Sequence, residues 1–179
     1  TKAVADGFSK YTAVPGNPDV LEAIATKLKR DHGVEYATSE IITNVGAKHS
    51  LFNIFQAIIN EGDEVIIPAP YWVTYPEIVL YSGGKPVVID TDESNDFKIT
   101  PEQLKAAITD RTRALIINTP SNPTGAIYTR TEIEALGEVL KGTDILIVSD
   151  EMYEKLVYGK PFVSVPSVSE DIYKRTILT

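Results

Sequence analysis

The sequence predicts an α/β fold of three layers, in which a mostly parallel sheet is covered by helices on both faces. Short apolar runs typical of strands alternate along the chain with segments of helical periodicity, which is the pattern of βα units. The strand runs are also nearly continuously apolar, as expected of strands that are buried on both faces. At 179 residues the chain is long enough for one sizeable core, so we predict one domain over residues 1–179.

Five helices are predicted from apolar periodicity and from signals at helix ends. The first has Asn17 as its N-cap and Pro18 at its first helical position, and Gly33 ends it. The fourth begins with a capping box formed by Thr100 and Gln103. In chain order the predicted helices cover residues 16–33, 47–60, 75–84, 100–108 and 129–142.

Strands are predicted where short apolar runs end in polar or turn residues. In chain order they cover residues 40–46, 63–70, 85–92, 112–120 and 144–151, and residues 174–179 have the pattern of a further strand that is just beginning. Because a strand that stops without a turn or a covering helix is unusual, we expect the chain to be a piece of a longer protein, incomplete at both ends.

The composition excludes several classes of protein. Hydrophobic residues make up 43% and charged residues 23% of the chain, which is typical of a soluble globular protein. The net charge of −8 argues against a nucleic-acid surface, which needs clustered Lys and Arg. The chain has no Cys, so disulfides and thiolate metal sites are excluded. Neither a signal peptide nor a membrane span is visible, and we expect a cytoplasmic protein with no nucleic acid or membrane as a partner.

The candidate functional residues follow the predicted strands, because ligands of such folds bind outside the carboxyl ends of the strands. After the first strand, Gly46, Ala47 and Lys48 begin a helix whose free N–H groups and dipole favour an anion such as a phosphate. Trp72, the only tryptophan, follows the second strand and offers a flat ring for stacking. Taken alone, the Gly46–Lys48 feature is more commonly an ordinary strand–helix turn, and Trp72 is as often an ordinary core or interface residue.

Polar side chains follow two later strands. Asn122 lies between Ser121 and Pro123, in a loop whose prolines suit it to hold one amide in place. Asp150 ends the apolar run ILIVSD, where a carboxylate is partly desolvated and needs a cation or strong donors. Tyr153 faces the same side if the chain turns helical after Asp150. Taken alone, Asp150 is also typical of a helix cap or a surface turn, and Tyr153 of simple packing.

Together these features describe a single ligand. It carries a phosphate, a flat ring, a cationic ring atom opposite a carboxylate, and a polar ring substituent. Pyridoxal phosphate has all four, with its pyridinium N–H pairing with Asp150 and its phenolic oxygen accepting from Asn122 and Tyr153. The sequence has neither a P-loop nor a GxGxxG motif, which disfavours an unrelated nucleotide-binding α/β domain.

The chain resembles the large domain of the fold-type-I pyridoxal-phosphate aminotransferases, of the aspartate aminotransferase class. The resemblance covers essentially all 179 residues, and the set of motifs is far more specific than any one of them. The motifs that carry it, in family order, are YTAVPGNPDVLEAIATKL, VGAKHSLFN, PYWVTYPE, NTPSNPTG and VSDEMYEKLVY.

The resemblance implies a role for each candidate residue. Asp150 keeps the pyridinium protonated, so that the ring stays an electron sink. Asn122 and Tyr153 share the phenolic oxygen, and Trp72 stacks on the ring. Asn122 and Trp72 also contribute to substrate binding, with Asn122 reaching the substrate carboxylate.

The resemblance also implies a phosphate site and a second subunit. The backbone of Ala47 and Lys48 cradles the phosphate, and Gly46 lets the chain approach it closely. Tyr11 resembles the family tyrosine that reaches the phosphate of the neighbouring subunit's cofactor, which implies a homodimer. From its position at the start of the helix, Lys48 either turns toward the distal carboxylate of an acidic substrate or faces solvent.

The resemblance further implies that the catalytic lysine lies beyond Thr179. In the family a lysine forms a Schiff base with the cofactor and then moves the substrate proton. It follows a Ser just after a strand that resembles RTILT, which ends this chain. We therefore assign no catalytic residue within the chain, and we expect the parent protein, but not these 179 residues alone, to catalyse transamination.

Two other functions remain open at this point. The same fold also serves as a non-catalytic effector-binding domain fused to a DNA-binding module, and carbon–sulfur lyases share much of the cofactor site. The segment YWVTYPE favours the aspartate-type group. The expected reaction is transfer of an amino group between an acidic or related aromatic amino acid and a 2-oxo acid.

Overall fold

The computed structural model describes residues 1–179 and divides them into two compact units, Thr1–Val45 and Gly46–Thr179. The sheet and all but two of the helices with α geometry belong to the second unit. The prediction that residues 1–179 form a single, incomplete domain stays a prediction.

The first unit contains two helices, α1 (Lys2–Ala5) and α2 (Pro18–His32). The predicted cap of α2 is confirmed, because Asn17 Oδ1 accepts a hydrogen bond of 2.9 Å from the N–H of Asp19. Gly33 adopts the left-handed backbone at the end of the helix, as predicted. A short 3₁₀ turn follows at Thr38–Glu40.

The strand predicted at residues 40–46 is wrong, because this segment has no strand partner. Thr43 bonds instead to a preceding loop, donating from its N–H and its hydroxyl to Pro15 O at 2.8 and 3.1 Å. Gly16 allows this approach, since a Cβ there would lie 2.1 Å from Thr43 Oγ1 and its φ is +123°. An apolar run alone predicts an extended chain, but only a sheet edge makes it a strand.

The second unit is a five-stranded parallel sheet with helices on both faces, and the predicted fold class is confirmed. The strands, in the spatial order β2-β1-β3-β4-β5, are β1 (Glu64–Ala69), β2 (Lys85–Asp90), β3 (Thr112–Asn118), β4 (Leu146–Asp150) and β5 (Thr176–Leu178). The helices are α3 (Ala47–Ile58), α4 (Thr74–Tyr81), α5 (Pro101–Ala107), α6 (Arg130–Leu140) and α7 (Glu170–Arg175).

The sheet separates two apolar clusters. The cluster on one face joins α3 and α4 to the sheet through residues that include Leu51, Phe55, Val79, Ile116 and Val148. The cluster on the other face joins α5, α6 and α7 to it through residues that include Leu104, Leu136, Ile172, Leu115 and Ile147. Side chains of successive strand residues point to opposite faces, so the same apolar strands supply both clusters.

Local end signals set most helix boundaries in this unit. The predicted capping box of α5 is present, with Thr100 Oγ1 accepting from Gln103 N at 3.2 Å and Gln103 Oε1 accepting from Thr100 N at 2.9 Å. Helix α7 was not predicted, although Ser169 Oγ caps it by accepting from Ile172 N at 3.3 Å. Its six residues are too few to show a helical period.

The central strands are buried on both faces, as predicted, but β2 is not. Val65 to Ile67 of β1 and the central residues of β3 are buried, whereas Val88 of β2 is 43% exposed. Strand β2 lies at the edge of the sheet, where it has a neighbour on one side only. An apolar run therefore predicted the strand correctly but not its burial.

Glu151 is a buried carboxyl that directly follows β4. It is 6% exposed, and its Oε1 accepts from Val165 N at 2.8 Å and from Ser149 Oγ at 2.9 Å. Burial is the main cause that raises the pKa of Glu151 to about 7, although these two hydrogen bonds act in the opposite direction, and nearby Glu154 adds to the rise. The folded protein therefore binds a proton here that the unfolded chain releases near pH 4.5.

We expect Glu151→Gln to stabilise the protein above pH 7 and to have no such effect near pH 4.5. Because folding raises this pKa, the ionised carboxyl opposes folding progressively as the pH rises from about 4.5 to 7, by about 3 kcal/mol at the plateau. Gln keeps an oxygen acceptor for both donors and stays neutral. The measurement is urea denaturation between pH 4.5 and 8.5.

The matched control is Glu134→Gln, which changes an exposed carboxyl of α6. It should not reproduce the stabilisation above pH 7 that we expect of Glu151→Gln, because no buried carboxyl is changed. Parallel curves for wild type and Glu151→Gln would contradict the proposed titration.

Candidate functional site

The order of the strands creates a crevice at the carboxyl end of the sheet. The chain runs from β1 outward to β2 and then returns to the other side of β1 as β3. Paired residues of β1 and β3 extend only to Ile66 and Leu115, and the next residues, Ile67 and Ile116, line a small cavity. Ligands of open α/β sheets bind at such a reversal of strand order, so the topology places the candidate site here.

The cavity itself has a volume of about 20 Å³, which suits a water molecule rather than an organic ring. A wider depression of about 610 Å³ lies at the opposite, amino-terminal end of the strands, lined by residues that include Asp63, Arg111 and Asp144. None of the predicted site residues lines it. The candidate site is therefore the open surface over the crevice.

Strands β3 and β4 end side by side, with Asn118 and Asp150 as paired residues. Asn118 Nδ2 donates to Asp150 O at 3.0 Å, and Asn118 Oδ1 accepts from Asn122 N at 2.7 Å. Because parallel strands begin and end at the same edges of a sheet, the loop of Asn122 and the carboxylate of Asp150 are brought together. Sequence reasoning missed Asn118, which stands inside the motif NTPSNPTG as an ordinary strand end.

The side chains of Asn122 and Tyr153 converge, as the sequence predicted. Asn122 Nδ2 lies 3.5 Å from Tyr153 Oη. The turn after β4 that carries Tyr153 is closed by a bond of 2.7 Å from Leu156 N to Tyr153 O. A separation of 3.5 Å is too long for a strong hydrogen bond, so both groups keep capacity to donate to a third acceptor.

The carboxylate of Asp150 is 5% exposed and has two donors of its own. Tyr75 Oη donates to Oδ2 at 2.7 Å, and Met152 N donates to Oδ1 at 3.2 Å. Burial, followed by the charge of Asp150, raises the pKa of Tyr75 above its ordinary value. The phenol therefore stays protonated and remains a donor to the carboxylate.

Tyr75 is a site residue that sequence reasoning missed. It lies in the first turn of α4 and is almost fully buried. Its ring packs edge-on to Trp72, with centroids 5.6 Å apart and an interplanar angle of 85°. The spacing of three residues from Trp72 was the available signal, since it is the spacing of side chains that share a helix face.

Trp72 and Lys48 lie next to each other. Lys48 Nζ lies over the indole, 5.0 Å from the ring centroid, which is within the range of a cation–π interaction. A ligand ring that stacks on Trp72 must therefore use the face that Lys48 does not cover. The ammonium adds positive charge beside that ring.

The beginning of α3 has the geometry of an anion site. Gly46 precedes the helix with a φ of +84°, and a Cβ there would meet nothing within 4 Å. The first N–H groups to bond within the helix turn are those of His49 and Ser50, which donate to Gly46 O at 3.1 and 3.2 Å. The N–H groups of Ala47 and Lys48 precede them and have no acceptor in the helix, so they suit a phosphate.

Tyr11 belongs to the first unit and is fully exposed. Its predicted contact with the phosphate of a neighbouring subunit stays a prediction.

None of the helices has both the length and the apolarity that crossing a membrane requires. No three His, Cys, Asp or Glu side chains are arranged to hold a metal ion.

The donors and acceptors of this edge fit pyridoxal phosphate. Asp150 supplies a buried carboxylate for a pyridinium N–H, Asn122 and Tyr153 supply two converging donors for a phenolic oxygen, and Trp72 supplies a ring for stacking. The start of α3 supplies N–H groups for a phosphate. The structure brings together these predicted residues of the second unit, while their roles toward a cofactor remain predictions.

Residues 2–179 match the family described as aminotransferase class I and II. The aspartate aminotransferase of Bacillus subtilis is 53% identical over 178 residues, which are 99% of this chain and 45% of that protein. The aspartate/prephenate aminotransferase of Nitrosomonas europaea is 50% identical over 98% of this chain and 45% of its own length.

A solved structure shows the same fold. The aspartate aminotransferase from Rhizobium meliloti superposes with a TM-score of 0.94 and 44% identity, over 98% of this chain and 44% of that one. The chain thus spans a little under half the length of the relatives it matches. It belongs to the class I and II aminotransferases, a family that uses pyridoxal phosphate, and the predicted resemblance is confirmed.

We expect Tyr75→Phe to lower the free energy of unfolding by about 1.5–3 kcal/mol, the range for a hydrogen bond to a charged group. The ring would keep its packing, but the buried carboxylate of Asp150 would lose its phenolic donor. The measurement is urea denaturation at pH 7. The control Tyr81→Phe removes a hydroxyl from an exposed ring of the same helix and should change the value by less than about 0.5 kcal/mol. Equal effects of the two variants would contradict the assignment.

Proposed function

We propose that the whole protein catalyses pyridoxal-phosphate-dependent transamination between an acidic or related aromatic amino acid, with aspartate as the first candidate, and a 2-oxo acid. The observation that carries the proposal is the continuous set of contacts from Trp72 through Tyr75, Asp150 and Asn118 to Asn122. It aligns a stacking ring, a buried carboxylate and amide donors along one edge of the sheet. Membership of the aminotransferase family and the names of the relatives support it.

In this proposal each residue holds one part of the cofactor. Asp150 accepts a hydrogen bond from the pyridinium, Asn122 and Tyr153 donate to the phenolic oxygen, and the N–H groups of Ala47 and Lys48 bind the phosphate. When bound, pyridoxal phosphate supplies an electron sink for bond breaking at the α-carbon of an amino acid. Asp150 would maintain that sink by accepting the pyridinium N–H, and the hydrogen bond from Tyr75 keeps its carboxyl group in place.

The relatives also bear on the competing functions. All three that are described above are named as aminotransferases, which supports transamination over a carbon–sulfur lyase or a non-catalytic effector domain. The name of the relative from Nitrosomonas europaea pairs aspartate with prephenate, which supports both acidic and aromatic-related compounds as substrates of the whole protein.

We also propose that the protein is a cytoplasmic homodimer that serves amino acid biosynthesis, with Tyr11 reaching the cofactor phosphate of the other subunit. Exposed apolar side chains of the first unit support an interface there, namely Phe8 at 78%, Tyr11 at 106% and Val14 at 90% exposure. The absence of cysteine from the chain suits a reducing compartment.

We expect Asp150→Ala to lower kcat for transamination of aspartate by about 100-fold or more in the whole protein, because one preorganised charge contact is removed from the ring. The measurement is the formation of oxaloacetate from aspartate and 2-oxoglutarate. Asp144→Ala is the matched control, since Asp144 is exposed and precedes the same strand at its other end. Near-normal turnover of Asp150→Ala would reject Asp150 as the pyridinium partner.

We expect Lys48→Met to weaken selection for acidic substrates, by lowering kcat/KM for aspartate about 10-fold relative to that for a neutral amino acid. Loss of a single charge contact with the distal carboxylate costs about 1.4 kcal/mol, which corresponds to a factor of about 10 in kcat/KM. Two controls should lower the ratio of kcat/KM for aspartate to kcat/KM for the neutral amino acid by less than Lys48→Met does. Lys48→Arg keeps the charge, and Lys105→Met removes an exposed charge from α5. A loss that is equal for both substrates would show that Lys48 does not select by charge.

A further inference from the structure

Asn118 connects the two loops that carry the predicted ring contacts. It is the last residue of β3 and is paired with Asp150, the last residue of β4. Its Nδ2 donates to Asp150 O at 3.0 Å, and its Oδ1 accepts from Asn122 N at 2.7 Å. One side chain therefore joins the backbone of the residue that carries the carboxylate to the backbone of the residue that carries the amide.

The chemistry of the partners fixes the orientation of the Asn118 amide. The carbonyl oxygen of Asp150 can only accept a hydrogen bond, and the N–H of Asn122 can only donate one. An amide that is turned over would place two acceptors against each other at one end and two donors at the other. Only a side chain with a donor and an acceptor in this arrangement satisfies both neighbours.

Two neighbouring backbone hydrogen bonds show why the bonds of Asn118 determine how far Asn122 lies from Asp150. Asp150 O accepts a second bond of 3.0 Å, from Thr119 N, which holds the backbone of the two strand ends together. Beyond it, the loop is closed on itself by a bond of 2.9 Å from Ser121 N to Ala126 O. The bond to Asn118 attaches Asn122 directly to the strand end, so it sets where the Asn122 side chain begins.

We propose that Asn118 is a positioning residue that fixes the distance between Asp150 and Asn122, and so allows both to contact one ring at the same time. The proposal rests on the proposed function, because the ring is that of pyridoxal phosphate. Both ends of the Asn118 amide are engaged by the protein, so its effect passes through its two neighbours. A displacement of about 1 Å in such a contact is enough to impair a site.

Two substitutions of Asn118 test the proposal in the whole protein. Asn118→Ala removes both hydrogen bonds and should raise the Kd for pyridoxal phosphate about 10-fold. It should also shift the pH at which the visible absorption band of the bound cofactor changes, because Asn122 and Tyr153 would no longer donate to the phenolic oxygen in the same geometry. Both quantities are measured without turnover, by equilibrium dialysis and by absorbance titration.

Asn118→Asp gives a reversible version of the same experiment. A protonated carboxyl has one donor and one acceptor and reproduces the pattern of the amide, whereas a carboxylate has acceptors only and opposes Asp150 O. The ratio of the Kd of this variant to that of wild type should therefore be near 1 at low pH and rise about 10-fold as the introduced carboxyl ionises. The pH dependence that wild type itself shows is divided out of this ratio. The other titratable groups around this point are Asp150, Tyr71, Tyr75, Tyr128 and Tyr153.

Asn95→Ala is the control for losing an amide, since Asn95 Nδ2 donates to Lys98 O at 2.8 Å, a bond in which neither loop takes part. It should leave the Kd and the absorbance titration unchanged. A lower Tm of Asn118→Ala with an unchanged Kd and an unchanged titration would overturn the proposal, because it would show a structural role only. If Asn118→Ala does not fold, the pH dependence of the Asn118→Asp ratio decides, and a constant ratio overturns the proposal. Wild type that binds no pyridoxal phosphate would instead overturn the proposed function.

Discussion

The parallel pairing of β3 with β4 is the constraint on which the candidate site depends. Their register ends with Asn118 opposite Asp150, so two polar residues that are 32 positions apart in the chain occupy adjacent strand ends. Shifting the register by one residue would turn each side chain to the other face of the sheet. The apolar residues that precede them, from Ala114 to Ile117 and from Ile147 to Val148, are buried and make such a shift costly.

Two neighbouring carboxyls at this strand end have different hydrogen-bond partners. Asp150 and Glu151 are both buried, but Asp150 meets Tyr75 in the layer of α4, while Glu151 meets Ser149 and Val165. Both donors of Glu151 bond to one of its carboxyl oxygens, Oε1, and burial raises the pKa of Glu151 to about 7. Asp150 accepts a hydrogen bond on each carboxyl oxygen, from Tyr75 Oη and from Met152 N, as a buried polar group requires.

Much of the fold could be predicted from the sequence because its signals are local. The cap at Asn17 and the capping box of Thr100 and Gln103 depend on residues two or three positions away, and both are present. The strand predicted at residues 40–46 failed because strand formation depends on a partner distant in the chain. Burial of β2 was overestimated for a related reason, since edge position is a property of the whole sheet.

The candidate site could be predicted only in part. Trp72, Asn122 and Asp150 stood out because polar or aromatic side chains follow apolar strands, and the structure gathers them at one edge. Tyr75 and Asn118 did not stand out, because each looks ordinary within its own helix or strand. Their importance comes from partners that are 75 and 32 positions away, and no short pattern encodes such a distance.

The two ends of the sheet differ in how fully their polar groups are satisfied. At the amino-terminal end, Glu64 accepts from Lys85 at 3.0 Å and from Thr109 at 2.6 Å, and Arg113 donates to Ile58 O at 3.1 Å. At the carboxyl end, Asn122 and Tyr153 face each other across 3.5 Å and keep hydrogen-bonding capacity. Polar groups that satisfy one another stabilise a fold, whereas converging groups with spare capacity favour a ligand. Near the start of the strands these polar groups therefore satisfy one another, and at the carboxyl end two converging groups retain the capacity that the proposed cofactor would use.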